Sequence, residues 1–435
     1  MEKLAENKII EDLYPQKFGK QGVIWVLSLI AVCALGVFAY CRQLYYGLEV
    51  TALRDYVSWG IYISNFVFFV AISLVGSLIT AVLRLTDVHW STPLTRIAEI
   101  IAVSAIAFAG LIIIIDMGRP DRFYNLFIHG RLQSPIIWDV IVITTYLCIS
   151  LLLLYFPLLP DLKIMIQFKE RNGKWLQKLY EFLGSFWKNK PEQFKITDKA
   201  INILSITIIP VAFAIHTVTS WLFATTYRPG WDSTNFGAYF ISGAFLVGSG
   251  AVLIAMYVFR THYKLEKYIT DAHFDKMGKV VVLLALLYLY FNINEFLVPA
   301  FKMKKSEEHH LMGLFTGEFA TAFWFAISTA MIIPILILIT KKGRKPKAAF
   351  IAGILVVVGS WFKRYLIVTP TLLHPFLPMS DVPANYRHYF PTWEEWAIAG
   401  ASLAGALLVI TFFARIFPII PIHETIIETE ANEKA

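Results

Sequence analysis

Apolar runs of about 18 residues or more recur along the whole chain, and each is long enough to cross a bilayer as a helix. About ten can be counted, at residues 22–41, 57–82, 98–115, 136–157, 200–225, 237–259, 279–300, 318–340, 348–368 and 394–417. Only 16% of the 435 residues are charged, far fewer than in a soluble protein of this length. The sequence therefore predicts an all-α polytopic membrane protein.

Lysine and arginine residues are distributed unevenly between the connecting segments. If the N-terminus is cytoplasmic, the cytoplasmic segments hold 27 of the 39 basic residues and the outer segments hold 12. Because basic residues accumulate on the cytoplasmic side, we expect both termini in the cytoplasm and the chain in the cytoplasmic (inner) membrane. The basic excess is then anchoring charge in contact with the lipid bilayer, and nucleic acid binding is not expected. The mixed, charged start of the chain predicts no cleaved signal, and residues 158–199 predict an amphipathic helix on the inner surface.

The sequence lacks the usual motifs for bound redox centres. Cys33, Cys41 and Cys148 lie in or beside apolar runs, without a CxxC or CxxCH pattern. Of the ten histidines, only His216 lies well inside a run, which argues against a haem held by two histidines. Neither a phosphate-binding loop nor an HExxH motif is present. We therefore expect no haem, no iron–sulfur cluster and no metal in this chain.

Polar and ionisable residues within the runs collect near the predicted outer ends. Such residues are costly inside a bilayer and usually mark a substrate path or a proton path. Asp139 and Glu295 are the hardest to explain structurally, because a carboxylate in a span needs a partner or a proton. The other members of the set are Tyr62, Asn65, Asp116, His216, Thr219, Ser220, Tyr288, Asn292, Glu318, Lys363 and Arg364.

Several of these residues also have a purely structural interpretation. Asp116 and Arg119 can cap helix ends and pair with each other, and Glu318 can cap a helix N-terminus. His216 can form an ordinary interhelical hydrogen bond, and Asn292 can join two helices in the same way. The shared depth of the residues argues against this interpretation for the set as a whole.

Five stretches of the sequence carry a family resemblance. "DMGRPDRF" at 116–123 is followed by "SPIIWD" at 134–139, and "WGIYISNFVFFVAISLVGSLITAVL" at 59–83 forms an early span. "KRYLIVTP" at 363–370 and "PTWEEWAIAGASLAG" at 391–405 lie near the end. In order and spacing these stretches resemble the NrfD-like family, the polysulfide-reductase membrane subunits, over about residues 55 to 415. The ten runs resemble its longer branch, which includes the membrane subunits of alternative complex III.

The resemblance implies a fold and a function. The fold is two four-helix bundles side by side with flanking helices, which suggests units at 1–56, 57–226 (with the 158–199 insertion), 227–370 and 371–435. Members bind a quinone, menaquinone or ubiquinone, near the outer face. They exchange its electrons with an extrinsic iron–sulfur subunit attached to a molybdopterin or multihaem cytochrome subunit. Proton translocation is a further expectation. Ser73 stands where long-branch relatives tend to have a histidine, which puts direct transfer of a proton path in doubt.

Site roles follow from quinone chemistry, which moves two electrons and two protons. We expect Asp139 and His216 to be the catalytic, proton-exchanging pair. Arg119 and Arg122 are expected to hold the outer loop and to tune Asp116 or Asp139 by opposite charge. The remaining quinone-binding candidates are Tyr62, Asn65, Asp116, Trp138, Thr219 and Ser220. Candidates for a proton path or a second site are Tyr288, Asn292, Glu295, Glu318, Lys363 and Arg364.

Two alternative functions remain open from the sequence. Ten spans, a trace of internal repeat and carboxylates within the spans are also typical of secondary transporters. Against this, the polar residues crowd one end, and the spans are expected to lack centres broken by glycine or proline. The other alternative is a purely structural membrane anchor, in which the polar residues serve only assembly.

Overall fold

The protein is helical throughout the residues that the computed structural model describes, which are 2–16, 18–76, 81–85, 90, 92–302, 304–376 and 381–434. The first half contains α1 (Glu2–Leu13), α2 (Lys20–Tyr46), α3 (Ile61–Gly76), α4 (Leu83–Leu85), α5 (Thr92–Asp116), α6 (Asn125–Ile128), α7 (Pro135–Tyr155), α8 (Leu158–Gln167), α9 (Lys174–Leu183) and α10 (Pro191–Ala224). The second half contains α11 (Phe236–His262), α12 (Asp271–Lys302), α13 (Lys305–Phe315), α14 (Ala320–Ile327), α15 (Ile333–Leu338), α16 (Pro346–Leu373), α17 (Trp393–Ile416) and α18 (Ile422–Lys434).

Ten apolar helices of the described chain correspond to the predicted runs. Nine are long and apolar enough to cross a bilayer, with Ala320–Leu338 counted as one helix. The shorter helix α3 is the tenth. The prediction of an all-α polytopic membrane protein is confirmed.

The spans pack into two groups with a shared interface. In the first group α3 packs on α5, α5 on α7, and α7 on α10. In the second group α11 packs on α12 and α16, and α16 packs on α14 and α15. Helix α11 also lies against α3, and α2 runs along α17. The exact domain boundaries predicted from the sequence stay a prediction.

Glycines bring α11 close to one helix of each group. A Cβ at Gly248 would lie 2.7 Å from the Cβ of Val75 on α3. On the other side, a Cβ at Gly353 of α16 would lie 2.8 Å from the carbonyl oxygen of Gly250. Small residues allow this backbone approach between membrane helices. The close packing of α11 holds the two groups in one position relative to each other.

A buried ion pair joins the predicted inner ends of the spans. Arg96 Nη1 donates to Asp161 Oδ2 at 2.7 Å, and the two side chains are 1% and 0% exposed. Asp161 also accepts the backbone N–H groups of Ile422 and His423, at 3.1 and 2.9 Å, at the start of α18. Because removing one partner of a buried pair costs about 3–5 kcal/mol, this contact fixes α8 and α18 at that end.

The insertion at 158–199 forms more than the single amphipathic helix that the sequence predicts. It comprises α8, α9 and the first turns of α10. Helix α9 is the amphipathic part: Trp175 and Phe182, which share one face, are exposed, while Tyr180 is buried. This pattern suits a helix that lies along a membrane surface.

One span departs from the regular helix expected from the sequence. Residues Ser328–Ile332 form a π-helical turn between α14 and α15. Pro334 follows at the start of α15 and has no N–H to donate to the preceding turn, which disfavours a regular α-helix there. The expectation that the spans lack centres broken by glycine or proline is therefore wrong for this span.

Candidate functional site

A buried carboxylate and a histidine lie near the predicted outer ends of α7 and α10. Asp139 is 2% exposed, and Thr219 donates its hydroxyl to Asp139 Oδ1 at 2.7 Å. His216 lies three residues before Thr219, so the two share a face of α10. The imidazole is 1% exposed; its Nδ1 lies 3.3 Å from the Ala212 carbonyl oxygen, and its Nε2 has no partner among the described residues. The sequence-predicted pair is thus present on adjacent helices, with one ring nitrogen free.

Two neighbouring candidates have mainly structural contacts. The Trp138 indole N–H donates to the carbonyl oxygen of Leu132 and its ring packs edge-on against Trp221. Trp138 therefore holds the outer loop against α10. Ser220 is fully buried and donates to the Thr217 carbonyl oxygen of its own helix at 2.7 Å.

A second part of the site lies between α2, α3 and α5. The Tyr62 hydroxyl donates to Gln43 Oε1 at 2.8 Å, and Gln43 Nε2 donates to the Ile115 carbonyl oxygen at 2.9 Å. Asp116 follows at the end of α5, and its Oδ1 is buried with no hydrogen-bond partner in the described part of the chain. Sequence reasoning missed Gln43, because α2 was treated as a peripheral span. Its signal was an amide within an otherwise apolar run.

Asn65 connects the two helical groups. Its Oδ1 accepts the indole N–H of Trp361 on α16 at 2.6 Å. With its oxygen occupied, the amide keeps its N–H₂ group as the available side. Asn65 therefore presents a donor near the site, although one of its roles is to join α3 to α16.

The two arginines of the outer loop are not close partners of the buried carboxylates. Arg119 forms a two-point ion pair with Asp121, at 3.0 and 2.9 Å, and both side chains are well exposed. The hydrogen bond from Arg119 lowers the pKa of Asp121. Arg122 is also exposed. The structure thus pairs Arg119 within its own loop, instead of with Asp116 or Asp139, because the turn after α5 directs it toward solvent.

Glu395, at the start of α17, holds the outer loops together. Its carboxylate accepts the Tyr389 hydroxyl at 2.7 Å and the backbone N–H groups of Ala52 and Thr392 at 2.8 and 2.9 Å. The Tyr389 oxygen in turn accepts the Ile61 N–H at 2.9 Å. Burial, reinforced by Glu395, raises the pKa of Tyr389 well above its usual value. Sequence reasoning missed this network; the capping box that begins α17 was its only local signal.

The second helical group contains another buried carboxylate. Ser233 Oγ lies 2.8 and 2.7 Å from the two oxygens of Glu295 and shares its single hydrogen between them, and the Asn235 amide lies 3.5 Å from Oε2. Lys363 is 2% exposed and interacts electrostatically with Glu295. Its Nζ lies 4.6 Å from the ring centroid of Phe296, with further aromatic rings nearby. The acid and the base of this group are therefore each stabilised within the protein.

A cavity opens beside these residues, beneath α13. It measures about 40 Å³ and is lined by Tyr239, Glu295, Glu307, His310, Lys363 and Thr371 together with apolar side chains. A single water needs about 10–15 Å³ by this measure, whereas a cavity that holds benzene has about 150 Å³. The cavity therefore suits a few water molecules and not a quinone ring.

His310 and Glu307 enter this cavity from α13, which lies between two of the predicted runs. Both side chains are buried, and His310 Nδ1 and Glu307 Oε2 lack partners among the described residues. Burial, and then the neighbouring His374 and His309, lower the pKa of His310 to about 3. The described His, Cys, Asp and Glu side chains do not form a group of three that could hold a metal ion.

Arg364 lies between the two groups of helices. It is 1% exposed, and its Nε and Nη1 have no partner in the described chain. A Cβ at Gly243 would lie 2.7 Å from the Tyr288 ring and 3.0 Å from Arg364 Nη2, so the absent side chain makes room for both. Arg364 is near enough to His216 to interact with it electrostatically. A residue predicted for the second bundle therefore also belongs to the surroundings of the His216 site.

The last two predicted residues lie apart from one another. Asn292 is 2% exposed; its amide donates to the Tyr288 carbonyl oxygen at 2.8 Å, and its Oδ1 has no partner in the region described. Glu318 is exposed and precedes α14. The structure does not bring Glu318 into the buried set, because the helix begins two residues after it.

These observations define a polytopic membrane protein with buried polar and ionisable residues near one end of its spans. Residues 49–375 match the family described as "Polysulphide reductase, NrfD". The chain belongs to this family, and the resemblance drawn from its motifs is confirmed.

Three relatives align along nearly the whole chain. A protein of Halobacterium salinarum named as the membrane subunit of a dimethyl sulfoxide reductase is 28% identical over 395 residues, 88% of this chain and 85% of the relative. A selenate reductase subunit of Mesobacillus selenatarsenatis is 24% identical over 417 residues, 92% and 95% of the two chains. The integral membrane subunit of the menaquinone reductase of Nitratidesulfovibrio vulgaris is 24% identical over 429 residues, 95% and 94%. All three are named as subunits of reductases.

Proposed function

We propose that this protein is the quinone- or quinol-binding membrane subunit of an oxidoreductase complex in the cytoplasmic membrane. It exchanges electrons between the quinone pool and an extrinsic iron–sulfur subunit at the outer face. That subunit is attached to a molybdopterin or multihaem cytochrome subunit. Menaquinone is the favoured substrate class, since one relative is named as a menaquinone reductase subunit.

The observation that carries the proposal is the pair formed by Asp139 and His216. A buried carboxylate with one hydroxyl partner, Thr219, and a buried imidazole whose Nε2 has none among the described residues lie on adjacent helices, with His216 three residues before Thr219. Leaving such groups unsatisfied costs about 1–3 kcal/mol each, so a bound polar ligand that completes their hydrogen bonds accounts for them. Their outward position suits a head group that also contacts water and a redox partner.

Quinone chemistry gives each of these residues a separate role. A quinol loses two electrons and two protons when it is oxidised, and the reverse reaction takes up both. Asp139 accepts a proton from a head-group hydroxyl, and Thr219 orients the carboxylate that does so. His216 Nε2 exchanges a proton with the head group, directly or through one water, and Arg364 provides positive charge nearby. Protons released at this end of the spans reach the outer compartment, which contributes to proton translocation.

The outer loop after α5 supplies a surface for the extrinsic subunit. Tyr124, Phe127, Ile128 and Leu132 are 58 to 75% exposed within a short stretch of this loop. Exposed apolar side chains grouped in this way are typical of a protein interface. The loop follows Asp116, the last residue of α5, and leads into α7, whose first turns hold Asp139, so a partner bound there lies over the site.

The experiment compares Asp139→Asn and His216→Phe in the purified complex. We expect both variants to assemble normally and to lose about 10²-fold or more in turnover of a soluble quinol analogue, the scale of a lost acid–base group. The iron–sulfur content of each preparation reports assembly. Asp121→Asn, an exposed carboxylate of the same outer loop, is the matched control and retains turnover.

Three outcomes contradict the proposal. Normal turnover in both variants removes the site assignment. Loss of the iron–sulfur partner with normal turnover per assembled complex favours a structural anchor instead. A protein that purifies alone and catalyses solute uptake favours a secondary transporter.

A further inference from the structure

The amide of Gln43 has only one favourable orientation. Its Nε2 donates to the backbone carbonyl oxygen of Ile115 at 2.9 Å, and a backbone carbonyl can only accept. Turning the amide over would place Oε1 against that carbonyl oxygen. Gln43 Oε1 is therefore the atom that faces Tyr62, at 2.8 Å.

This orientation decides what the Tyr62 hydroxyl can offer a ligand. An oxygen of Gln43 accepts, so Tyr62 must donate its only O–H to it. The Tyr62 oxygen keeps its lone pairs and can accept a hydrogen bond from a ligand. Tyr62 is 1% exposed and Gln43 is 2% exposed, so water does not readily exchange this arrangement.

Two carboxyl groups lie near Tyr62. Asp116 Oδ1 is buried without a partner in the described chain, and Asp116 and Glu395 both interact electrostatically with Tyr62. Glu395 is already occupied as an acceptor by Tyr389 and two backbone N–H groups. A ligand oxygen that meets the Tyr62 oxygen therefore gains a hydrogen bond if it carries a hydrogen. A carbonyl oxygen finds no donor at Tyr62.

We propose that this end of the site binds the reduced, hydroxyl-bearing quinol in preference to the quinone, and that Gln43 is the positioning residue that sets this preference. The inference rests on the proposed function, because it specifies the redox form recognised at the same site. Gln43 lies outside the family match at 49–375, in the flanking span α2. The selectivity is thus a property that the flanking helix adds to the shared family fold.

The test measures dissociation constants for a soluble quinol analogue and for its oxidised form on the whole purified complex. In Gln43→Leu the Tyr62 hydroxyl is free to donate, so quinol binding weakens and quinone binding strengthens. The ratio of the two constants changes about five- to tenfold, as expected for one hydrogen bond of reversed polarity. A tenfold change corresponds to about 30 mV in the midpoint potential of the bound two-electron couple.

Further variants separate positioning from a general structural effect. Tyr62→Phe removes the acceptor and weakens quinol binding, and adding Gln43→Leu to it produces no further change in the ratio. In Gln43→Glu the ratio equals that of the wild type at low pH, because a protonated acid can donate to the Ile115 carbonyl oxygen and accept from Tyr62. At high pH the ionised acid cannot donate, and the ratio departs from the wild-type value. Tyr45→Phe, an exposed tyrosine of the same helix, is the control and leaves both constants unchanged.

Three results decide the matter. An unchanged ratio in Gln43→Leu, or equal weakening of both redox forms, overturns the inference while leaving the proposed function intact. If Gln43→Leu fails to assemble, the pH dependence of Gln43→Glu and the ratio in Tyr62→Phe decide it in the same way. If neither redox form binds to the wild-type complex, the proposed function fails, and the inference with it.

Discussion

Each of the two groups of helices buries a carboxylate near the predicted outer ends of its spans, but the surroundings of the two carboxylates differ. In the second group, Glu295 shares the single hydroxyl hydrogen of Ser233 between its two oxygens, the Asn235 amide lies 3.5 Å away, and Lys363 interacts with the carboxylate electrostatically. In the first group, Asp139 has one hydroxyl partner, while Asp116 Oδ1 and His216 Nε2 have none among the described residues. Similar residues thus occur at similar depths with different degrees of hydrogen-bond satisfaction.

This difference indicates where a ligand is needed. Unsatisfied buried groups are costly, and a fold keeps them where something else completes their bonds. Among the described residues, the unpartnered atoms of the second group include His310 Nδ1 and Glu307 Oε2, which lie at a cavity that suits only a few waters. In the first group, we propose that a polar ligand completes the bonds of Asp116 and His216. The two groups therefore differ in what their unpartnered atoms can meet, which is water in one group and a proposed ligand in the other.

Both clusters are expected to face the outer compartment, and a measurement of the membrane topology tests this directly. Because of the excess of basic residues on one side, we expect a reporter fused after Lys347 to be cytoplasmic and one fused within 381–390 to be external. The readout is paired activity of two reporters, one active in each compartment. The reverse pattern places both clusters on the cytoplasmic side and removes the proposed docking of an outer subunit.

The sequence was sufficient for the parts of the molecule that depend on composition and spacing. The length and apolarity of the runs predict the spans, and a three-residue spacing places His216 and Thr219 on one face. Contacts between distant segments were not predictable in this way. Gln43 meets Tyr62 because α2 runs along α17, which packs on α3, and Asn65 meets Trp361 because α16 packs against α3. Arg119 is a different case. It forms an ion pair with Asp121, its nearest carboxylate in sequence, and therefore does not pair with the buried carboxylates.

The internal pairing of the second cluster can be tested by a double-mutant cycle. Lys363→Met should remove the electrostatic attraction between the Lys363 ammonium and the buried Glu295 and lower stability by about 0.5–3 kcal/mol. Adding Glu295→Gln removes the unpaired charge, so the two effects should combine with a coupling of about 0.5–3 kcal/mol. Thermal unfolding of the complex gives the stabilities.

Turnover of the same variants tests whether the second cluster takes part in the reaction. A pair that is satisfied within the protein should be less important for catalysis than Asp139, so turnover per assembled complex should fall much less than in Asp139→Asn. A loss in Glu295→Gln as large as the one in Asp139→Asn would make the second cluster part of the reaction path. Strict additivity of the two stability effects would show that Glu295 and Lys363 are not paired.

The smallest expected effect is a pH dependence that arises at the second cluster. His310 has a pKa of about 3 when folded and 6.5 when unfolded, because burial disfavours its charged form. The folded state therefore binds fewer protons, and its stability is complete above about pH 6.5 and declines as the pH falls below it. At pH 5 this amounts to about 2 kcal/mol. The groups that face His310 are His309, His374, Glu307 and Lys363, and burial lowers the pKa of His374 in the same direction.

Two matched variants isolate the contribution of His310. In His310→Gln the loss of thermal stability between pH 7 and pH 5 should be smaller than in the wild type, because one buried group no longer titrates. His309→Gln, at the exposed neighbouring position, should leave most of that loss in place. If both variants behave alike, the pH dependence arises elsewhere and the cavity beneath α13 is more open to solvent than its burial indicates. The second cluster would then resemble the first in its exposure to exchangeable protons, and the contrast between the two groups would rest on Glu295 and Lys363 alone.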